Sequence, residues 1–257
     1  MLNAQNIQAH VICLRRKPVP EERVVKWKSV FPNLHIFEAI EGKTLDLQND
    51  KRIHILSRMY IESTNSVSND SIFSVPTVGA IGCFLSHLSL MHHCVEINQP
   101  IIIIEQDAEF TDQCCSILPQ VLQQIPEDAH YVSLMYISQQ HTRPYNHRFR
   151  RLVGPQCDGN QCYYISPVGA AMIIKHALPI ATQFDLLIGI VSHVEPNFIG
   201  YVLDIRLYSI WKVLKDNMDS SIQQFAVKKY LPRSNIFYYA VIFILIILLL
   251  YAMHTIA

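Results

Sequence analysis

Residues 79–110 read "GAIGCFLSHLSLMHHCVEINQPIIIIEQDAEF", and the change of pattern at Pro100 decides the fold. Before it, Ile81, Phe84, Leu85, Leu88, Met91 and Val95 recur at helical spacing, which predicts an amphipathic helix that Pro100 closes off. After it come four consecutive isoleucines, Ile101 to Ile104. A run of β-branched residues flanked by proline and acids predicts a central strand buried on both faces. That strand ends abruptly in Glu105, Gln106 and Asp107.

The same alternation extends outward. "HVICLRR" (10–16) predicts a short buried strand ending in cations, and "PEERVVKWKSVF" (20–31) a helix whose start is marked by Pro20 and two glutamates. "LHIFEAI" (34–40) has strand character, with a turn at Glu41-Gly42. The polar stretch "STNSVSNDS" (63–71) predicts a loop. Beyond the isoleucines follow a helix containing Pro119 and a strand over "HYVSLMYI" (130–137). "RFRRLV" (148–153) and "QCYYIS" (161–166) predict a hairpin around Gly154 and Asp158-Gly159. Ser166-Pro167 then opens a helix, with serine at the cap and proline at the first position. Strands alternating with helices predict an α/β domain with a mostly parallel sheet and helices on both faces.

The 257 residues carry 21 Lys+Arg against 21 Asp+Glu, and this balance excludes the basic stripe of a nucleic-acid-binding protein. At 50% hydrophobic and 16% charged the chain is more apolar than an ordinary soluble domain. Much of the excess lies in "IFYYAVIFILIILLLYAM" (236–253), long enough to cross a bilayer as a helix. The expected organisation is one domain over 1–227, a basic juxtamembrane linker over 228–235 and a transmembrane helix over 236–256. Lys228, Lys229 and Arg233 precede the span, and the first residues show no apolar signal-peptide core. Together they predict a tail-anchored membrane protein whose N-terminal domain is cytosolic. Seven cysteines without metal-site spacing suit reduced thiols, although Cys157 and Cys162 could pair across a turn in an oxidising compartment. The sequon at Asn69 is expected to stay unmodified on this topology.

Four clusters carry potential chemistry. If strand alternation persists, Glu105 and Asp107 share a face and can approach one hard cation such as Mg²⁺ or Mn²⁺; otherwise they are a solvated strand end. Arg15, Arg16 and Arg23 can hold phosphate or form an ordinary basic surface. Ser86 and His87 lie within the apolar helix as either core or site residues, and His92-His93 reads as a solvated helix face. Asp185, between Phe184 and Leu186, is either a helix cap or a carboxylate suited to act as a base.

Taken in order, "HVICLRRKPVPEERVVKW", "FEAIEGKTLDL", the Gly-x-Ile-Gly-Cys-x-x-Ser-His helix with its acidic strand end, and "YYISPVGAAMIIKHALPIATQFD" resemble glycosyltransferase family 25 over roughly residues 9–190. That family includes lipopolysaccharide sugar transferases and collagen galactosyltransferases. The resemblance implies a GT-A-like nucleotide-diphospho-sugar transferase fold. The implied reaction is inverting transfer of a hexose, typically galactose from UDP-galactose, to a lipid or protein acceptor. It implies Asp107 as metal ligand, with Glu105 near the ribose or the metal. Arg15, Arg16 and Arg23 would contact the nucleotide, with Ser86 and His87 beside the donor, and Asp185 would be the base or acceptor-site carboxylate. Two positions depart from the family pattern: Gln106 replaces the middle acid of the motif, and Ala80 stands where the helix usually has glutamate. These departures motivate a second reading, an inactive transferase fold serving as a membrane-tethered binding or scaffold protein.

Overall fold

Strand β1 (Gln8–Cys13) is followed by α1 (Glu21–Val30) and by β2 (Leu34–Glu38), which pairs in parallel with β1. A 3-10 turn at Gly42–Thr44, then α2 (Ile55–Thr64) and α3 (Val78–Ile97), lead to β3 (Ile101–Glu105), which joins β1 in parallel on its other side. The chain continues through α4 (Asp112–Gln123), β4 (Tyr131–Ser133), β5 (Thr142–Pro144), β6 (Phe149–Leu152), β7 (Cys162–Ile165), α5 (Pro167–Ala177), α6 (Phe184–Val194) and β8 (Gly200–Leu203). This computed structural model describes residues 6–64, 75, 77–134, 141–154 and 160–204, all within one unit, Met1–Gln224. The expected linker and transmembrane helix (228–256), the sequon at Asn69, Cys157 and most of the predicted loop 63–71 lie outside the described residues.

The strands form one sheet in the order β2-β1-β3-β7-β4-β8-β6-β5. It is mixed, which corrects the expectation of a mostly parallel sheet: β1–β2, β1–β3 and β4–β8 are parallel, while β3–β7, β4–β7, β5–β6 and β6–β8 are antiparallel. β7 runs against both β3 and β4, between which it lies, and β5 and β6 add antiparallel pairings at the far edge. The predicted hairpin of 148–153 with 161–166 does not form either. Cys162–Ile165 is buried at every position and takes a central place, whereas Arg150 and Arg151 are half-buried and their strand pairs with β5 and β8.

Side-chain alternation along β3 splits the core into two layers. Ile101 and Ile103 pack on one face with α3, α5 and α6; Ile102 and Ile104 pack on the other with Trp27 and Val30 of α1 and Leu118 and Val121 of α4. α3 is more enclosed than an amphipathic helix, with Ala80 to Cys94 buried on most sides and His92, Val95 and Glu96 exposed. It is the one described helix long and apolar enough to span a membrane, at a mean hydropathy of 1.3, and 61% of that stretch is buried inside this fold. Thr77 caps its start by accepting from the Ala80 N–H, and Asn98 ends it in the left-handed region at φ 50. Pro100 therefore follows a stop already made by Asn98.

α3 sits close against the chain after β2. The Ser86 hydroxyl donates to the Gly82 carbonyl and accepts from the Ile40 N–H, each at 2.8 Å. A β-carbon at Gly82 would lie 2.3 Å from the Ile40 carbonyl oxygen and 2.6 Å from the Gly42 nitrogen, so only glycine permits this approach. Replacement Gly82→Ala is expected to lower unfolding free energy by about 1–3 kcal/mol, measured by urea denaturation, because backbone must move to admit the methyl.

Candidate active site

The chain steps from β1 to β2 on one side and reaches β3 on the other, with α1 and α3 on opposite faces. Between β1 and β3 lies the point where strand order reverses, and ligands of open α/β sheets bind beyond the carboxyl ends of strands at such a point. Glu105, Gln106 and Asp107 leave β3 there, beside the Leu14–Lys17 turn that carries Arg15 and Arg16.

β3 ends at Glu105, and a turn closed by the Ala108 N–H to the Glu105 carbonyl (3.0 Å) places Gln106 and Asp107 at its corners. The two carboxylates are therefore brought together by a turn, and not by continued strand alternation as expected. Alternation does govern the first two side chains. Glu105 falls on the α3 face, where its Oε1 lies 3.1 Å from His87 Nε2. Gln106 falls towards the α1 face, where its Oε1 accepts from the Leu14 N–H at 2.9 Å and its carbonyl accepts from Arg23 Nη1 at 2.7 Å. Trp27 Nε1 donates to the Ala108 carbonyl at 3.2 Å, fixing the far side of the turn.

His87 is 1% exposed and stacks on Phe184 with ring centroids 4.6 Å apart. Its Nδ1 lies 2.8 Å from the Tyr163 hydroxyl. A carboxylate only accepts, so Nε2 carries the proton to Glu105, and a neutral ring then takes the Tyr163 O–H at Nδ1. His87 thus orients Glu105 from behind the strand end. Ser86 is fully buried, with its hydroxyl committed to the Gly82 carbonyl and the Ile40 N–H.

Asp107 is exposed, yet desolvation is the largest influence on its carboxyl, followed by the Glu105 charge; its own N–H and Arg23 oppose them, and the pKa is raised to about 6. Two neighbouring carboxylates at the end of this strand fit a hard divalent cation, which would relieve their repulsion. Cys83 stands close by, and one ligand atom each from Cys83, His87 and Glu105 lies within 4.8 Å of the others. That trio suits a softer metal poorly. Burial and then the charges of Glu105, Asp185 and Asp107 push the Cys83 thiol well above its ordinary value, and both His87 nitrogens are occupied.

The influence of all three carboxylates on one thiol also brings Asp185 into the same neighbourhood. It lies in the first turn of α6, half-buried, and its Oδ1 accepts from the Leu186 N–H at 2.8 Å. The cap position of α6 belongs to Gln183, so Asp185 is an acid of the first turn and not the cap expected as one of its two readings. Of the basic residues, Arg23 supports the turn, Arg15 is exposed, and Arg16 makes a loose 3.8 Å contact with Glu41. Ala80 is buried in the capped first turn of α3. Tyr163 was absent from the sequence expectations, because a tyrosine in a buried strand carries no signal of its histidine partner.

The family model for glycosyltransferase family 25 (LPS biosynthesis protein) matches residues 8–188 of the chain. Among curated proteins, none matches it.

A carboxyl whose pKa is higher in the folded than in the unfolded chain favours the protonated folded state. Stability from this group is therefore lost as pH rises from the unfolded value of 3.8 through about 6. Asp107→Asn removes that loss. Its melting temperature relative to the unmodified chain should be higher at about pH 8 than at about pH 4, measured by calorimetry.

Proposed function

Since the chain belongs to glycosyltransferase family 25, we propose that it transfers a hexose, with galactose the expected sugar, from a UDP-sugar to a hydroxyl of a lipid or protein acceptor with inversion. The domain is taken to be of the GT-A type, tethered by the apolar segment 236–256 and working at the cytosolic face of a membrane. The observation that carries this reading is the Glu105–Ala108 turn. It holds two neighbouring carboxylates at the strand-order reversal, beside Arg15 and Arg16.

Asp107 and Glu105 would hold Mn²⁺ or Mg²⁺, which supplies positive charge to offset that building on the departing diphosphate. Glu105 reaches the site with its orientation set by His87 and Tyr163. Arg15 and Arg16 offer guanidinium groups to the phosphates, while Arg23 spends one N–H on the Gln106 carbonyl and lends its charge to Asp107. Asp185 approaches from α6 and takes the proton of the acceptor hydroxyl as it attacks the anomeric carbon from the face opposite the leaving group.

The inactive-scaffold reading rested on Gln106 and Ala80. The Gln106 amide oxygen is an acceptor for the Leu14 N–H, turned away from the carboxylate pair, so the loss of charge there removes no cation ligand.

The test is Mn²⁺-dependent hydrolysis of UDP-hexoses by the full chain in detergent. Asp107→Asn is expected to lower the rate by about 100-fold or more. Asp185→Asn should lower kcat by a similar factor of about 100 while leaving donor binding intact. Gln106→Glu keeps the acceptor for Leu14 and should leave the rate within about threefold. Donor binding that appears only in Gln106→Glu would favour the scaffold, and no binding of any UDP-sugar would remove the enzymatic reading.

A further inference from the structure

Away from the carboxylates, three histidines from three elements meet on the α3 face of the sheet. His10 of β1 and His35 of β2 are register partners on parallel strands, and His93 reaches them from α3. The His10 ring stacks on His35 with centroids 5.2 Å apart and meets His93 edge-on at 5.0 Å. The expectation of a solvated His92-His93 face holds for His92 alone, since His93 is half-buried. His93 lies six residues beyond His87 on the helix, about 9 Å further along its axis, so this cluster is separate from the candidate active site.

We infer that His10, His35 and His93 form a binding site for a divalent transition-metal ion of the imidazole-preferring kind (Co²⁺, Ni²⁺, Cu²⁺ or Zn²⁺). Three observations carry this. First, His10 is 8% exposed and its Nε2 is buried without a hydrogen-bond partner. An unsatisfied buried polar atom is uncommon and unfavourable, and a coordinate bond would satisfy it. Second, both flanking rings lie next to His10, with centroids 5.2 Å and 5.0 Å away, so side-chain rotation can bring one nitrogen of each to a common ion. Third, the outer nitrogens of the flanking rings face amide oxygens. His35 Nε2 lies 3.0 Å from Asn33 Oδ1, and His93 Nε2 lies 3.5 Å from Gln8 Oε1. An Nε2–H donated outward leaves the Nδ1 lone pair for an ion, the usual support given to a ligating histidine.

Burial, then His93 and His35, hold the His10 pKa near 4, so its ring is neutral as ligation requires. Oxygen-preferring Mg²⁺ and Ca²⁺ are excluded by the donor set. As the rings stand, their nitrogens are further apart than in a closed site. Binding turns the exposed His35 and the half-buried His93 towards His10, joining the edge strand, the first strand and the longest helix.

The experiment is titration of the untagged full chain in detergent with CoCl₂, followed by visible absorption. Beside any weakly absorbing uptake at the oxygen ligands of Asp107 and Glu105, one equivalent should bind with the intense d–d bands of a low-coordinate nitrogen site and no thiolate charge-transfer band. Affinity should fall at least tenfold in His35→Ala and in His93→Ala, and stay unchanged in Cys83→Ser and Asp107→Asn. His35 is exposed, so its variant should fold even if His93→Ala does not. The inference is overturned if the native chain takes up no Co²⁺. It is equally overturned if the intense bands survive the histidine substitutions, or depend on Cys83 or Asp107.

Discussion

The turn from Glu105 to Ala108 is held from both faces of the sheet, and the candidate site takes its shape from that grip. β3 is anchored by isoleucines packed alternately into two core layers. Where it ends, the same alternation hands Glu105 to His87 above and Gln106 to Leu14 and Arg23 below. Asp107 is left facing solvent near a like charge. An unsupported turn would relax to separate two carboxylates. Here the surrounding hydrogen bonds oppose that relaxation, as expected of a site prepared for a ligand and not for stability.

α3 distributes its polar residues among several tasks. Ser86 ties the helix to the chain after β2, His87 sets the orientation of Glu105, and His93 closes over His10. In a helix this enclosed each polar group must find a partner, because leaving one unpaired away from water is costly. The partners lie on β1, β3, β7 and the loop at Ile40, so the helix coordinates parts of the chain that are distant in sequence.

The sequence displayed the helix-to-strand junction at Pro100 and the acids that end the strand, since periodicity and β-branching are local signals. It displayed the family through the same residues. It did not display the place of β7: a four-residue apolar run says that a strand is buried but not which neighbours bury it. Strand direction was misread for the same reason, since nothing local to a short strand records which way its neighbours run. Among the site residues, Glu105, Asp107 and Asp185 stood out by charge in apolar surroundings. Ser86 and His87 were identified as notable, but their partners Ile40, Glu105 and Tyr163 were not legible, because a motif shows that a residue matters without showing what it touches. Tyr163 and Cys83 enter the neighbourhood only through tertiary packing.

The insertion of β7 beside β3 has a consequence for how the chain matures. The Glu105 N–H donates to the Gln161 carbonyl at 2.8 Å, and Tyr163 sits behind His87. Neither partner exists until some sixty further residues have been synthesised, so a nascent chain emerging N-terminus first can assemble β1, β2 and β3 but cannot complete the acidic corner. The geometry of that corner is thereby deferred until the far half of the sheet has closed.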